Sequence, residues 1–200
     1  MQSDGVPIRH NVVLIKPFNM LCVIDRIWHH KIGSETVPPE TAHQLADDHV
    51  VLSVLTRADA DSFFALHTAP SPHNSWASGF ILQNDTPDLA AQRTVEAFDL
   101  IWTIRLASCP ERIIGDCSLR RAESDIPAFA YTLFPEQWLE TVIISAYLLV
   151  SAIARNTLHA QAISYTARKN DVQALRFAEI LGFQYLTQSS STLTMLKQLE

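Results

Sequence analysis

From Val50 onward, short apolar runs bounded by turn residues alternate with stretches whose apolar positions recur every three or four residues, the marks of strands and helices in turn. Val50-Val51-Leu52-Ser53-Val54-Leu55 reads as a strand. Thr56-Arg57-Ala58-Asp59 then opens a helix, with Thr56 as N-cap and Asp59 at the third helical position. Ala60, Phe63, Phe64 and His67 form its core-facing stripe. Pro70, Pro72 and Gly79 mark a loop, and Thr86-Pro87-Asp88 caps a second helix reaching Phe98. Residues 100–107 and 112–119 read as strands joined by a turn over 108–111, and 128–134 as the next strand. After the long apolar helix discussed below come a strand over 159–166 and a helix over 171–181 closed by Gly182. A last hairpin, 183–187 with 192–197, turns around Gln188-Ser189-Ser190-Ser191. Three strands in succession predict antiparallel pairing, and the strands separated by helices predict a crossover with a parallel pair. The fold class is therefore mixed α/β.

Residues 131–156 stand out. A strand ends at Pro135, a short loop follows, and a helix begins near Thr141, read as its N-cap. A strand running into a helix N-terminus suits an anion, because free N–H groups and the helix dipole point at the ligand. Between Thr141 and Arg155 the only polar side chains are Ser145, the Tyr147 hydroxyl and Ser151. A helix apolar nearly all round predicts burial on both sides. Its outer face would be covered by residues 1–49 or by a second subunit in a homodimer. That N-terminal extension carries strand-like runs at 12–15 and 21–24, a turn-rich stretch over 33–39 and a short helix over 39–47. The remaining domain is residues 50–200.

Composition narrows the function classes. With 48% apolar and 18% charged residues, the 200-residue chain can bury a core of its own. A net charge of -6 disfavours nucleic-acid binding, which needs basic patches, and suits an amine-bearing partner. Cys22, Cys109 and Cys117 are odd in number and form no Cys-x-x-Cys pair, which points to a reducing compartment. Cys109 and Cys117 flank the expected hairpin and could approach one another as a reduced pair. No leader pattern precedes Lys16-Pro17, and the longest apolar run falls short of the ~20 residues a bilayer span needs, so a cytoplasmic location without membrane attachment is expected. Trp28-His29-His30, with His43 and His49, has no trusted metal-ligand spacing, and no metal is expected.

Four pieces in order carry a resemblance. They are Val54-Leu55-Thr56-Arg57-Ala58-Asp59-Ala60, Ile113-Ile114-Gly115-Asp116-Cys117-Ser118-Leu119-Arg120, Tyr131-x-Leu133-x-Pro135-Glu136-x-Trp138, and Leu175-Arg176-Phe177-Ala178-Glu179-Ile180-Leu181-Gly182-Phe183. Together they resemble the GNAT superfamily of N-acetyltransferases, and within it the branch of ribosomal-protein N-terminal acetyltransferases. The resemblance covers Val50 to about Lys197. It implies a GNAT-like fold, acetyl-CoA as co-substrate and an amine, on a small molecule or a peptide, as acceptor. It places the pantetheine arm in a splay between two strands, here Tyr131, Thr132, Leu133 and Phe134 against residues 163–165. The diphosphate would lie on Leu139, Glu140, Thr141, Val142 and Ile143, and Asn170, Asp171 and Arg176 would complete the cofactor site.

The resemblance also implies a loop reading glycine, basic residue, glycine, where this chain has Leu139-Glu140-Thr141. Glycines let a backbone approach phosphates closely. A Glu placed ~4 Å from a phosphate costs about 1 to 4 kcal/mol, depending on the local dielectric. Asp171 replaces an expected Asn, Ala174 an expected Ser, and Ala128 stands where the branch often has Glu. Two functions thus stay open: an N-acetyltransferase, or a GNAT-fold binding or assembly module in which acetyl-CoA binding is lost. Tyr165 is either the acid that protonates the leaving thiolate, as suits a phenol with a pKa of about 10, or a buried strand tyrosine. Arg168, Lys169 and Arg176 are either contacts for the adenosine 3′-phosphate or a solvated basic patch. Glu123, Asp125, Glu136 and Glu140 either steer an amine or are surface carboxylates.

Overall fold

The computed structural model describes residues 44–69, 81, 84–97, 100–121, 126–137 and 139–199. The strands are β1 (Gln44–Ala46), β2 (Val50–Val54), β3 (Leu100–Leu106), β4 (Cys109–Arg121), β5 (Pro127–Leu133), β6 (Ala162–Arg168), β7 (Gln184–Gln188) and β8 (Thr192–Gln198). The helices are α1 (Ala60–Thr68), α2 (Pro87–Ala97), α3 (Glu140–Asn156) and α4 (Val172–Ile180), with 3-10 turns at Arg57–Asp59 and Pro135–Gln137. All eight strands join one sheet in the order β1-β2-β3-β4-β5-β6-β8-β7. Every neighbouring pair is antiparallel except β5 and β6, which are parallel, with α3 as the crossover between them. The expected antiparallel trio and the parallel pair are both present.

Period-two alternation sorts the central strands into two faces. Val50, Leu52, Trp102, Ile104, Cys117, Leu119, Phe129, Leu133, Ile163 and Tyr165 face α3 and α4 and make the main core. Its centre is aromatic. Phe129 meets Tyr147 edge-on at 5.4 Å, and Phe177 of α4 lies 5.2 Å from Tyr165 and 5.3 Å from Tyr131. Such pairs each add about 0.5–1.5 kcal/mol beyond the burial of their area. The opposite face carries a smaller apolar cluster of Leu55, Ala60, Phe63, Ala91 and Ile101 beneath α1 and α2.

Local chemistry explains the element ends. The Thr56 N–H and hydroxyl both donate to Asp59 Oδ2, at 3.0 and 2.8 Å, which fixes the chain entering α1. α4 starts at Asp171, whose carboxylate accepts from the Ala174 N–H at 3.0 Å. It ends in a Schellman motif: Phe183 N–H donates to Ala178 O, Gly182 N–H to Glu179 O, and Gly182 holds φ +72. Gly115 serves packing instead. A Cβ there would sit 2.3 Å from both Leu133 Cδ2 and the Thr132 carbonyl oxygen.

Several expectations are corrected. The hairpin turn is Ala107-Ser108 rather than 108–111, because β4 resumes pairing at Cys109 through bulges opposite Ile104, Arg105 and Leu106. Cys109 and Cys117 therefore lie on one strand, eight residues apart, and do not approach each other. The strand expected over 159–166 is Ala162–Arg168, set by its register with β8. Gln44–Ala46, expected in a short helix, forms a strand because β2 offers it an open edge. In α1, Leu66 rather than Phe64 joins Ala60, Phe63 and His67 in the interior. The N-cap of α3 is Leu139, with extended backbone and no side-chain cap bond, and Thr141 lies in the first turn. α3 is buried round most of its circumference, but Leu148 is 40% exposed on an outer stripe with Ile144 and Ala152. The runs at 12–15 and 21–24, the stretch over 33–39 and the histidines 29, 30 and 43 lie outside the described residues.

Candidate functional site

β5 and β6 pair only at Ala128↔Ser164 and Phe129↔Tyr165. Beyond Phe129, β5 continues through Tyr131, Thr132 and Leu133 while β6 continues through Thr166, Ala167 and Arg168, with no further register between them. Two neighbouring strands that part company expose backbone N–H and C=O groups to whatever enters the gap. β5 leads through the Pro135–Gln137 turn into α3, whose first turn sits beside the opening. The N–H groups of Val142 and Ile143 both reach the Leu139 carbonyl, at 3.0 and 3.4 Å. That leaves the Glu140 and Thr141 N–H groups, among the described residues, as donors at the positive end of the helix dipole.

Most of the expected cofactor residues converge here. Leu139 is 50% exposed, Thr141 is exposed, and Val142 and Ile143 turn their side chains into the core. Glu140 does not stand alone: its Oε2 lies 3.1 Å from Arg176 Nε of α4, so the carboxylate at the helix start is neutralised by a residue 36 positions later. Asn170 is exposed in the β6–α4 turn, beside Asp171 at the cap of α4. Arg168 and Lys169 are exposed in the same turn, whereas Glu136 sits 4.0 Å from Arg112 on the surface. Phe134 is half-buried and donates its N–H to Ile114 O. Glu123 and Asp125 lie outside the described residues.

Tyr131 and Tyr165 stack nearly parallel, 6.0 Å between ring centres and 8° between planes, at the point where the two strands part. Burial, the largest cause, pushes both phenols well above the ordinary range; their mutual hydrogen bond raises Tyr131 further and offsets part of the rise at Tyr165. Tyr165 thus holds its proton more tightly than an ordinary phenol does.

Thr132 faces the other way from Tyr131 and Leu133, toward α1. There it lies opposite Asp116, which lies opposite Thr103, which lies opposite Ser53. This polar row crosses four strands, and Thr103, Asp116 and Thr132 are fully buried within it. Asp116 Oδ2 is 2.5 Å from His67 Nε2, and both side chains are 0% exposed. Arg105 bonds Thr103 and, at 2.6 Å, Asp59 Oδ1. Sequence reading missed the His67–Asp116 pair. A carboxylate in the apolar run from Ile113 to Leu119 signals a buried partner, since an unpaired buried charge is costly, but nothing local says which of the eight histidines supplies it.

Among the described residues no helix is long and apolar enough to cross a membrane, and no cluster of His, Cys, Asp or Glu could hold a metal. Comparison with curated proteins gives no match. Among solved structures, the chain is similar to a GNAT-family acetyltransferase from Bacillus anthracis, with TM-score 0.63 and 8% identity over 78% of this chain and 98% of that one. An acetyltransferase from Agrobacterium tumefaciens str. C58 aligns at TM-score 0.62 and 15% identity, covering 84% of this chain and 100% of the other. A nucleotide-linked sugar GNAT, solved in its apo form, aligns at 0.59 and 14%, covering 76% and 87%. The family model described as Acetyltransferase (GNAT) domain matches residues 49–184, the stretch that builds the parted strands and the helix start, and the chain belongs to that GNAT acetyltransferase family.

Proposed function

We propose that the protein transfers an acetyl group from acetyl-CoA to an amine. The observation that carries this reading is the end of β5–β6 pairing at Phe129↔Tyr165 beside the first turn of α3. An extended pantetheine arm has amide groups that match the unpaired edge of β5 as another strand would. The residues at the helix start also suit a diphosphate better than their sequence suggests. The Glu140–Arg176 ion pair cancels the local negative charge, and the Glu140 and Thr141 N–H groups remain as anion donors. In this arrangement a neutral amine attacks the thioester carbon, and a backbone N–H of β5 holds the developing oxyanion. Tyr165, stacked on Tyr131 on the α3 side of the gap, is the phenol nearest the leaving thiolate in this reading, although its burial makes it a weaker acid than a free tyrosine.

A second reading, a GNAT-fold binding or assembly module, is favoured by Leu139-Glu140-Thr141, where side chains stand on a loop that must come close to phosphates. Titration calorimetry with acetyl-CoA separates the two. Binding in the micromolar range together with release of free CoA thiol in the presence of amines supports transfer. No heat up to millimolar ligand supports the module. The double variant Leu139→Gly/Glu140→Gly should bind acetyl-CoA more tightly; unchanged affinity in a folded protein would mean the loop never faces the diphosphate.

A further inference from the structure

The buried polar row on the α1 face has more hydrogen-bonding capacity than the fold uses. Ser118 Oγ and Thr132 Oγ1 are fully buried and have no hydrogen-bond partner among the described residues. Leaving such a hydroxyl unsatisfied costs about 1–3 kcal/mol, so two side by side are expected to be answered by a water or a ligand group. Both adjoin Asp116. Thr132 is its cross-strand partner on β5, with Cβ atoms about 5 Å apart, and Ser118 lies two residues along β4 on the same face, about 7 Å away. On β5 and β6 the neighbouring positions on this face are small (Ala130 opposite Ser118, Ala128 beyond it, and Ser164 opposite Ala128, all half-buried), while on β4 Arg120 stands opposite Ala128. These short side chains lie beside the two unanswered hydroxyls, close to where β5 and β6 stop pairing.

We propose that His67 and Asp116 form the proton-accepting pair of the acyl-transfer step, reached from the β5–β6 opening through the Thr132 hydroxyl. The inference rests on the reading of the chain as an acetyltransferase and names the base which that reading lacks. The balance is simple. The amine nitrogen bonds to the thioester carbon, the carbon–sulfur bond breaks, and CoA leaves as the thiolate with the electron pair. The proton shed by nitrogen passes to a water held by the Thr132 hydroxyl and from that water to the Asp116–His67 pair. The pair takes up that one proton and shares it across its 2.5 Å contact. His67 and Asp116 act through Thr132 and are positioning residues in this sense. Thr132 is fully buried, but of the row it alone sits on the strand that lines the gap. α1 holds His67 in place through Phe63, whose ring lies 4.5 Å from the imidazole.

The test uses the full chain, acetyl-CoA and hydroxylamine as a small nucleophilic acceptor, with the hydroxamate product measured. Asp116→Asn should lower kcat about 100-fold or more, the usual size of a lost general base, while the acetyl-CoA Kd and the KM for acetyl-CoA stay within twofold. His67→Gln should behave likewise. Thr132→Val, nearly the same shape without the hydroxyl, should lower kcat at least tenfold, and Thr132→Ser should restore it. Should Asp116→Asn fail to fold, the Thr132 series decides the matter with the pair intact. If Thr132→Val and Asp116→Asn both keep kcat within threefold of the parent, the pair is structural and the proposal falls alone. A parent protein that binds acetyl-CoA yet accelerates no transfer also overturns it. Absence of both binding and transfer overturns the acetyltransferase reading, and the pair's role with it.

Discussion

The ion pair between Glu140 and Arg176 gives the sharpest quantitative prediction about the cofactor site. Glu140 is the first residue of α3 and Arg176 reaches it from α4 at 3.1 Å, with both side chains substantially exposed. A surface pair of this kind contributes only about 0–1 kcal/mol to folding, so single substitutions leave the fold intact. Its effect on a diphosphate at the helix start is different. A unit charge ~4 Å from a phosphate is worth about 1 kcal/mol at the dielectric of water and about 4 kcal/mol at an effective value of 20. The exposure of the pair puts the expected term at the lower end, about 1 kcal/mol, which is roughly fivefold in Kd. Arg176→Gln removes the cation and leaves the Glu140 charge facing the ligand, so acetyl-CoA binding should weaken about five- to tenfold. Glu140→Gln frees the guanidinium for the ligand and should tighten binding about fivefold, with the double variant near the parent. Calorimetry at low and at about 1 M salt is the assay, because the Debye length shrinks to about 3 Å and the differences should largely collapse. If both single variants bind within twofold of the parent at low salt, the helix start does not receive the diphosphate.

Two further outcomes concern the frame that holds the site. Gly115→Ala forces a methyl to 2.3 Å from Leu133 Cδ2 and the Thr132 carbonyl oxygen, so β4 and β5 must separate; a loss of about 1–3 kcal/mol is expected in denaturant melts, and an unchanged midpoint would refute the contact. Tyr131, Tyr147 and Tyr165 should make the protein alkali-sensitive. Burial raises all three, Tyr147 to about 12, so below pH ~10 the folded and unfolded chains hold the same protons and the stabilisation is complete. Above that, the unfolded chain loses protons that the folded chain keeps, and stability falls by up to about 1.4 kcal/mol per pH unit for each tyrosine. Tyr131→Phe/Tyr165→Phe should flatten the dependence of Tm on pH between 9 and 11.5; an unchanged slope would show that these phenols ionise normally in the folded protein.

The legibility of the chain followed the range of the physics involved. Thr56 with Asp59 and the closing Gly182 are local signals, so those helix ends could be read directly and are present, whereas the Asp171 cap on the Ala174 N–H came only with the structure. The apolar runs of β2, β3 and β5 located those strands to within a residue or so, because burial on a pleated face demands that pattern. Boundaries failed where pairing rather than local chemistry sets them. β4 begins at Cys109 because β3 offers partners across two bulges, and Gln44–Ala46 is extended because β2 has a free edge. The cap of α3 was misplaced for a related reason: Leu139 closes it with backbone alone, so no side chain marks it.

At the candidate site the division is the same. By itself the sequence determined the family's order of elements, the strand-to-helix junction over 131–156 and the absence of glycine at Leu139-Glu140-Thr141, since each is a property of neighbouring residues. Only the tertiary structure decided what those residues face. It brought Arg176 onto Glu140 and so cancelled the charge that counted against a diphosphate. It stacked Tyr131 on Tyr165, and it joined His67 to Asp116 across 49 positions inside a row of buried hydroxyls. Charge and hydrogen-bonding capacity are fixed by the residue types, but their sign and worth at a site depend on partners that only the register of the sheet and the packing of α1 and α4 supply.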